Sequence, residues 1–385
     1  MGIDFWYTNI VPNTRIRESI EKIDPTNLFK NIDNDSIDQT KLNFLVFKWE
    51  GRWSFPNSTH THSIEFIKLL IRLQTENFYF ISDFSGESHS RPDELSLNFL
   101  NKLKSNSINI NRLFVAINNS NNIGIHKVKY ENFILNTIFF PNFFLSTYNH
   151  LINYVVKHNH ITPDKKFLCL NRRMYYHKYK IIEELFNREL LNDTRFSWVD
   201  NKHKKNLLNK KLTDQLGIDV DNFKAIQLED DVMYGSELSK REEYLFTVNP
   251  NWYYKSKVNI ITETNFSQPE IHITEKTWKA IYLGVPFVVS ASKGHLKTLR
   301  DMGFKTFNSV INEDYDEMDG DHKIKHIINS AVELSNVYDT MEVLDICKFN
   351  QDLYFNDEYR KDILNKTFLN YLYNIESQLQ PTNLI

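Results

Sequence analysis

Short apolar runs alternate along the chain with longer segments whose apolar residues recur at helical spacing. In the first half, the runs at 44–47, 78–81 and 113–117 predict buried strands. The segments 63–74 and 94–103 predict amphipathic helices between those strands. This alternation is typical of an α/β fold with parallel strands, so we expect a Rossmann-like first domain.

The second half repeats the alternation after a break. A helix is predicted around 148–157, and Thr162, Pro163 and Asp164 then interrupt it. Beyond the break we predict strands at 167–170, 196–199, 258–262, 286–290 and 305–307, and helices at 178–191, 275–283 and 294–302. The pattern predicts three parts: a first domain over 1–160, a second Rossmann-like domain over 161–345, and C-terminal helices over 346–385 that pack back on the first domain.

Composition narrows the class of protein. The 385 residues suit two domains, and 41% hydrophobic content is ordinary for a folded chain. A net charge of −3 gives no global reason to approach nucleic acid. We expect no membrane span and no secretory leader, because no apolar run is long enough. The separation of Cys169 and Cys347 argues against a disulfide framework, which favours a reducing, cytoplasmic setting.

The most informative segment is 258–290, which reads as strand, polar loop, helix and strand. Thr274 immediately precedes the predicted helix, and Glu275 and Lys276 lie in its first turn. The start of a helix offers unpaired amides and a positive dipole end, which suits a diphosphate. We therefore expect these residues to bind phosphate, with Lys276 balancing its charge. Thr274 and Glu275 also fit a purely structural role as N-cap and first-turn acid.

The strand before this helix ends in three polar residues, Thr262, Glu263 and Thr264. Ligands of open parallel sheets bind beyond the carboxyl ends of the strands, where these residues fall. We expect Glu263 to accept hydrogen bonds from ribose or sugar hydroxyls.

The run TEKTWKAIYLGVPFVV, residues 274–289, resembles the donor-binding motif of the fucosyltransferase-like glycosyltransferases. With its continuation to about residue 320, it is also similar to glycosyltransferase-like proteins of phages and large viruses. The resemblance covers residues 165–320. It implies the GT-B arrangement, in which two Rossmann-like domains face a cleft. It also implies a nucleoside-diphosphate sugar as donor, inverting transfer of a hexosyl or pentosyl group, and no bound metal or other cofactor.

The segment FLCLNRR, residues 167–173, extends the resemblance. The family places a basic residue shortly after the first strand of the donor domain, where it contacts the diphosphate. Arg172 or Arg173 occupies that place, and a guanidinium fork suits phosphate. This chain departs from the family at the strand end, where Thr262-Glu263-Thr264 replaces Glu-Asn-Ser. That departure leaves the identity of the sugar and of the base open.

Inverting transfer requires a general base that deprotonates the acceptor hydroxyl. Glu87, within Gly86-Glu87, resembles the Gly-Glu of the family's base. Asp83 is the carboxylate nearer to the preceding strand, so both residues are candidates. The same residues also suit a simple turn before Pro92.

Three further segments carry weaker signals. His60 and His62 have the spacing of two metal ligands but lack a third, so no metal site is predicted. The acidic stretch 313–321 lacks the pattern of a calcium loop, and we expect it to cap the following helix. The basic run 202–211 is typical of a solvated face, or of phosphate contacts if the acceptor is DNA.

The sequence thus favours a glycosyltransferase that uses a nucleotide-sugar donor and a glycan or another hydroxyl acceptor. One alternative is a DNA-modifying glycosyltransferase that acts on a hydroxylated base. The other is a non-catalytic module that binds a nucleotide or glycan.

Overall fold

The chain forms two compact units, and each contains a predominantly parallel sheet. The computed structural model describes residues 3–10, 14–23, 29–48, 64–76, 78–83, 94–120, 123–151, 161–171, 175–198 and 248–375. Unit 1 comprises residues 1–146 and 357–385, and unit 2 comprises residues 147–356. The sequence placed the start of the second domain at 161 and its end at 345.

Unit 1 contains a seven-stranded sheet in the order β2-β1-β3-β4-β5-β7-β6. Its strands are β1 Ile3–Tyr7, β2 Lys30–Asn31, β3 Leu42–Lys48, β4 Phe78–Asp83, β5 Leu113–Ile117, β6 Ile125–Tyr130 and β7 Phe133–Phe139. Every neighbouring pair is parallel except β6 and β7. All residues of β4 and β5 are buried, as expected for central parallel strands covered on both faces.

The helices of unit 1 come from both ends of the chain. They are α1 Arg15–Ile23, α2 Ile64–Thr75, α3 Glu94–Ser105, α4 Asn142–Leu151, which continues into unit 2, α11 Asp357–Leu364, a π-helical turn Asn365–Leu369, and α12 Asn370–Tyr373. The buried Phe368 ring lies edge-on against Phe140, with centroids 5.0 Å apart. Helices α11 and α12 therefore pack in unit 1, whereas the part of the predicted C-terminal segment before residue 357 belongs to unit 2.

Unit 2 contains a four-stranded sheet in the order β11-β10-β8-β9, and all its neighbouring strands are parallel. The strands are β8 Lys165–Asn171, β9 Thr194–Trp198, β10 Ser256–Thr262 and β11 Phe287–Ser290. The helices are α5 Tyr176–Asn187, α6 Pro250–Tyr254, α7 Glu275–Leu283, α8 His295–Asp301, α9 Asp321–Val337 and α10 Met341–Phe355. The two Rossmann-like units confirm the predicted α/β class, and the cleft expected between them stays a prediction.

The prediction of a strand at 305–307 is wrong. The backbone amide of Lys305 donates to Asn350 Oδ1 at 2.8 Å, and its carbonyl accepts from Asn350 Nδ2 at 2.8 Å. The amide of Phe307 donates to the Glu313 carboxylate at 2.7 Å. Side chains thus take the backbone groups that a neighbouring strand would pair with, so the apolar residues are buried without forming a strand.

Two further predictions from the sequence concern membrane spans and disulfides. In the described part of the chain, no helix is long and apolar enough to cross a membrane. Cys169 and Cys347 are both buried free thiols.

Candidate functional site

The carboxyl ends of β8 and β10 lie side by side at one edge of the unit 2 sheet. Thr262, the last residue of β10, donates from Oγ1 to Asn171 Oδ1 at 2.7 Å. The Asn171 amide in turn donates to Ser197 Oγ at 2.8 Å. All three side chains are buried. The predicted donor residue Thr262 therefore joins two strand ends, while Thr264, two residues further, is half-buried.

Helix α7 begins close to this edge, within the bounds that the sequence predicted. Thr274 is its N-cap, with extended backbone angles, and its side-chain oxygen accepts from the Lys276 amide at 3.4 Å. Gly284 ends the helix with φ 63° and ψ 41°, a left-handed conformation that glycine adopts without strain. The first turn carries Glu275 and Lys276, so the local signals in the sequence set both ends of the helix.

Glu263 anchors the start of α7. Its side chain is fully buried. One carboxylate oxygen accepts from the Thr274 amide at 3.0 Å and from Thr277 Oγ1 at 2.8 Å, and the other accepts from Thr274 Oγ1 at 2.5 Å. Burial acts to raise the pKa of Glu263, but the Lys276 cation, followed by His295 and the Thr274 bonds, outweighs it and lowers the pKa to about 2. Glu263 is therefore an ionised carboxylate whose donors all come from the protein.

The Lys276 side chain contacts the Glu263 carboxylate and is 26% exposed. Its Nζ is 3.4 Å from Glu263 Oε2 and 3.6 Å from Glu275 Oε1, and it donates to Thr274 Oγ1 at 2.9 Å. Burial acts to lower the pKa of Lys276, but the carboxylates of Glu275 and Glu263 outweigh it and the pKa is raised. Lys276 is therefore positively charged at pH 7, on a side chain that is partly exposed.

The backbone amides at the start of α7 divide into two pairs. Those of Thr274 and Lys276 donate to side chains of the protein. Among the residues that the structure describes, no hydrogen-bond acceptor pairs with the amides of Glu275 and Thr277. The helix start thus keeps two free donors beside the Lys276 cation, which suits an anionic oxygen.

An aromatic stack, Tyr175–His177–Phe266, lies beside the Glu263 backbone. The His177 ring is parallel to that of Phe266, with centroids 4.9 Å apart, and to that of Tyr175, with centroids 6.1 Å apart. His177 Nε2 donates to the Glu263 carbonyl at 2.9 Å. Burial, followed by the charge of Lys178, lowers the pKa of His177 to about 4, so the ring is neutral at pH 7.

Sequence reasoning missed both His177 and its neighbour Lys178. Lys178 is 2% exposed, although it lies in the first turn of α5. The available signal was the run Tyr175-Tyr176-His177-Lys178, which follows the basic pair Arg172-Arg173 after one residue, where charged residues follow a strand end. The His177 ring packs on Phe266, which comes from a loop 89 residues further along the chain.

The acidic stretch has a different role from the one predicted. Asp316 accepts from the amides of Leu296 at 3.0 Å and Lys297 at 2.9 Å, so it caps the preceding helix α8 rather than the following one. Gly320 stands at the N-cap of α9, and no side chain caps that helix. In the described ranges, no three His, Cys, Asp or Glu side chains cluster as metal ligands would.

Of the two candidate bases and the arginine pair, the structure describes only Asp83. Asp83 ends β4, and its carboxylate accepts from the amides of Arg15 at 2.8 Å and Ile16 at 3.3 Å, where α1 begins. It therefore anchors a helix, and its role as base stays a prediction. Glu87, Arg172 and Arg173 lie outside the described residues, as do His60, His62 and the basic run 202–211.

The depressed pKa of His177 predicts a loss of stability in mild acid. The folded protein binds fewer protons than the unfolded chain between the ordinary pKa of about 6.5 and the folded value of about 4. We expect His177 to contribute a loss of up to about 3 kcal/mol as the pH falls through this window. Urea unfolding at pH 7 and pH 4.5 measures it. His177→Phe should reduce the pH dependence, whereas exposed His322→Phe should not, and equal slopes in the two variants would refute this assignment.

No known protein family matches the sequence, and no curated protein shows a significant match. Several solved structures share features of the chain trace. A T4 phage BGT mutant in complex with UDP-glucose has a TM-score of 0.42 at 11% identity, covering 99% of this chain and 100% of that one. An α,α-trehalose 6-phosphate synthase from Burkholderia multivorans has a TM-score of 0.41 at 9% identity, covering 89% and 73%. An α1,3-fucosyltransferase with GDP has a TM-score of 0.36 at 9% identity, covering 100% and 92%. These TM-scores are too low to assign a function to this chain.

Proposed function

We propose that the protein is a glycosyltransferase that binds the diphosphate of a nucleotide sugar at the start of α7 and transfers the sugar to a hydroxyl acceptor. The observation that carries the proposal is the combination of the Lys276 ammonium with the free amides of Glu275 and Thr277. This cluster lies beyond the carboxyl edge of a parallel sheet, where such folds bind nucleotides. The resemblance of residues 274–289 to the fucosyltransferase-like donor motif supports the same assignment.

In the proposed reaction, negative charge develops on the diphosphate as the sugar is transferred. The acceptor oxygen attacks the anomeric carbon, the bond to the donor phosphate breaks, and the nucleoside diphosphate leaves with the electron pair. Fixed amides and an ammonium group that face the leaving oxygen lower the barrier, because they need no reorganisation. In this proposal Lys276 and the amides neutralise the diphosphate, so chelation of divalent metals leaves turnover unchanged. Glu87 or Asp83 takes the acceptor proton, and the single displacement at the anomeric carbon inverts its configuration.

Glu263 takes a different role in the proposal from the one its sequence position first indicated. All the hydrogen bonds to its carboxylate come from Thr274, Thr277 and Lys276. We therefore infer that it positions Lys276 and the helix start instead of contacting the sugar. Arg172 and Arg173 remain the proposed guanidinium ligands of the diphosphate.

Lys276→Gln tests the donor site because it removes the charge and keeps an amide that reaches Thr274. We expect kcat/KM for donor turnover to fall about 100-fold, as for loss of a group that stabilises a developing anion. The assay is hydrolysis across a panel of UDP-, GDP- and CMP-sugars, with and without sugar acceptors. Lys297→Met is the matched control, since its side chain is 62% exposed on another helix of the unit.

The outcomes of this assay distinguish the proposed enzyme from the two alternative functions. Nucleotide binding without turnover of any sugar nucleotide identifies a binding module in place of an enzyme. Turnover only with hydroxylated DNA, with affinity that falls steeply with salt, identifies the DNA-modifying alternative. Neither binding nor turnover in the wild type, or equal turnover in Lys276→Gln, contradicts the proposed donor site.

A further inference from the structure

The Lys178 side chain is 2% exposed, and among the residues that the structure describes its amine makes no hydrogen bond and no ion pair. Its Nζ lies 5.5 Å from the centroid of the Tyr175 ring. Keeping a charged amine buried without a carboxylate in contact is costly, so among the described residues this position favours the binding of an anion.

In the described part of the chain, the titratable groups near Lys178 come from several elements. They are Lys276 and Glu275 of α7, Glu263 after β10, Cys169 of β8 and, on its own helix, His177. Helix α9, which packs against α5, contributes Lys323, whose amine donates to the Ala291 carbonyl at 2.7 Å. Burial, followed by the Lys276 charge, lowers the pKa of Lys178 to about 7, although Glu263, Cys169 and Glu275 act in the opposite direction.

Two helices begin near the same edge of the sheet, and each carries a lysine in its first turn. Helix α5 follows β8 and helix α7 follows the neighbouring strand β10. The N-cap of α5, Tyr175, makes no side-chain bond to the helix. Both helix dipoles are positive at these ends, and Lys178 is close enough to Lys276 for their charges to interact. A diphosphate carries two phosphate groups, which matches two such positions.

We propose that Lys178 is a second ligand of the donor diphosphate, whose negative charge serves as the counter-ion of its amine. This inference rests on the proposed function of the site. Burial gives Lys178 a pKa of about 7 in the empty site, so above pH 7 the amine takes up close to one proton when the anion binds. Release of the nucleoside diphosphate returns that proton to solvent. Affinity for the diphosphate therefore falls as the pH rises above about 7, because each binding event must capture a scarcer proton.

Calorimetric titration of the full chain with UDP and with GDP tests the proposal. At pH 8 the nucleotide phosphates are already ionised, since a terminal phosphate has a pKa of about 6. Titration in buffers of different ionisation enthalpy then counts the protons taken up by the protein. We expect close to one proton per site in the wild type and close to none in Lys178→Met.

Two variants separate the charge from the fold. Lys178→Met keeps an unbranched stem and removes the amine, so we expect an unchanged or higher Tm together with about tenfold or greater weakening of UDP or GDP binding. Lys180→Met is the control on the same helix, because Lys180 is ion-paired with Glu183 and half-buried. It should leave both affinity and proton uptake unchanged.

The outcomes distinguish this inference from the proposed function. A wild type that binds neither UDP nor GDP overturns both. A wild type that binds, with a Lys178→Met variant of equal affinity and equal proton uptake, overturns the Lys178 inference and leaves the proposed function standing. Should Lys178→Met fail to fold, wild-type affinity measured from pH 6.5 to pH 9 decides, and a flat profile refutes the inference.

Discussion

Glu263→Ala is expected to destabilise unit 2 by about 3–5 kcal/mol, because it leaves the Lys276 cation and the hydroxyl of Thr277 without their buried acceptor. The Thr274 amide also loses its partner, so the start of α7 is no longer fixed. Urea unfolding followed by tryptophan fluorescence measures the loss.

Two substitutions control this prediction. Glu263→Gln keeps the shape and one carbonyl acceptor, so its loss should be smaller than that of Glu263→Ala. Glu333→Ala removes an exposed carboxylate on α9 and should change stability by about 0.5 kcal/mol or less. A loss below about 1 kcal/mol in Glu263→Ala would mean that the carboxylate does not anchor the helix.

Trp278→Ala carries the second large effect, also about 3–5 kcal/mol, because it empties a buried aromatic position. Trp278 is 1% exposed and lies one turn into α7. Its ring is parallel to that of Tyr354 on α10, with centroids 5.8 Å apart, and contacts Phe304 at 5.4 Å. This packing holds the helix that presents Lys276, so nucleotide affinity should fall together with stability.

Thermal and urea unfolding measure the Trp278 effect, and Trp278→Phe serves as the conservative comparison. The smaller ring keeps part of the stack with Tyr354, so we expect a loss of about 1–2 kcal/mol. If Trp278→Ala were no less stable than Trp278→Phe, α7 would not depend on this contact.

The sequence predicted the parts of the fold that local signals determine. Continuous apolar runs identified the central strands, including β4 and β5, since strands buried on both faces have no polar alternation. The bounds of α7 followed from Thr274 at its N-cap and Gly284 at its C-cap. Strands β1, β2, β6 and β7 were missed. Of these, β2 has only two residues and β6 has only half-buried and exposed positions, so both gave weak signals.

The site was predictable only in outline, because its electrostatics depend on distant contacts. Lys276 and the helix start followed from residues that are adjacent in the sequence. The role of Glu263 as an anchor depends on Thr274 and Thr277, which reach it across a folded loop. The His177 ring packs on the distant Phe266, and the charges that act on Lys178 come from Glu263, Glu275 and Lys276, so neither residue was identified. For the same reason the sequence misassigned Asp316, which caps the preceding α8.

A crystal structure with bound UDP or GDP tests the donor site most directly. We expect diphosphate oxygens about 3 Å from the amides of Glu275 and Thr277 and from Lys276 Nζ, the spacing of charge-assisted hydrogen bonds. A nucleotide bound elsewhere, with those amides left unpaired, would contradict it.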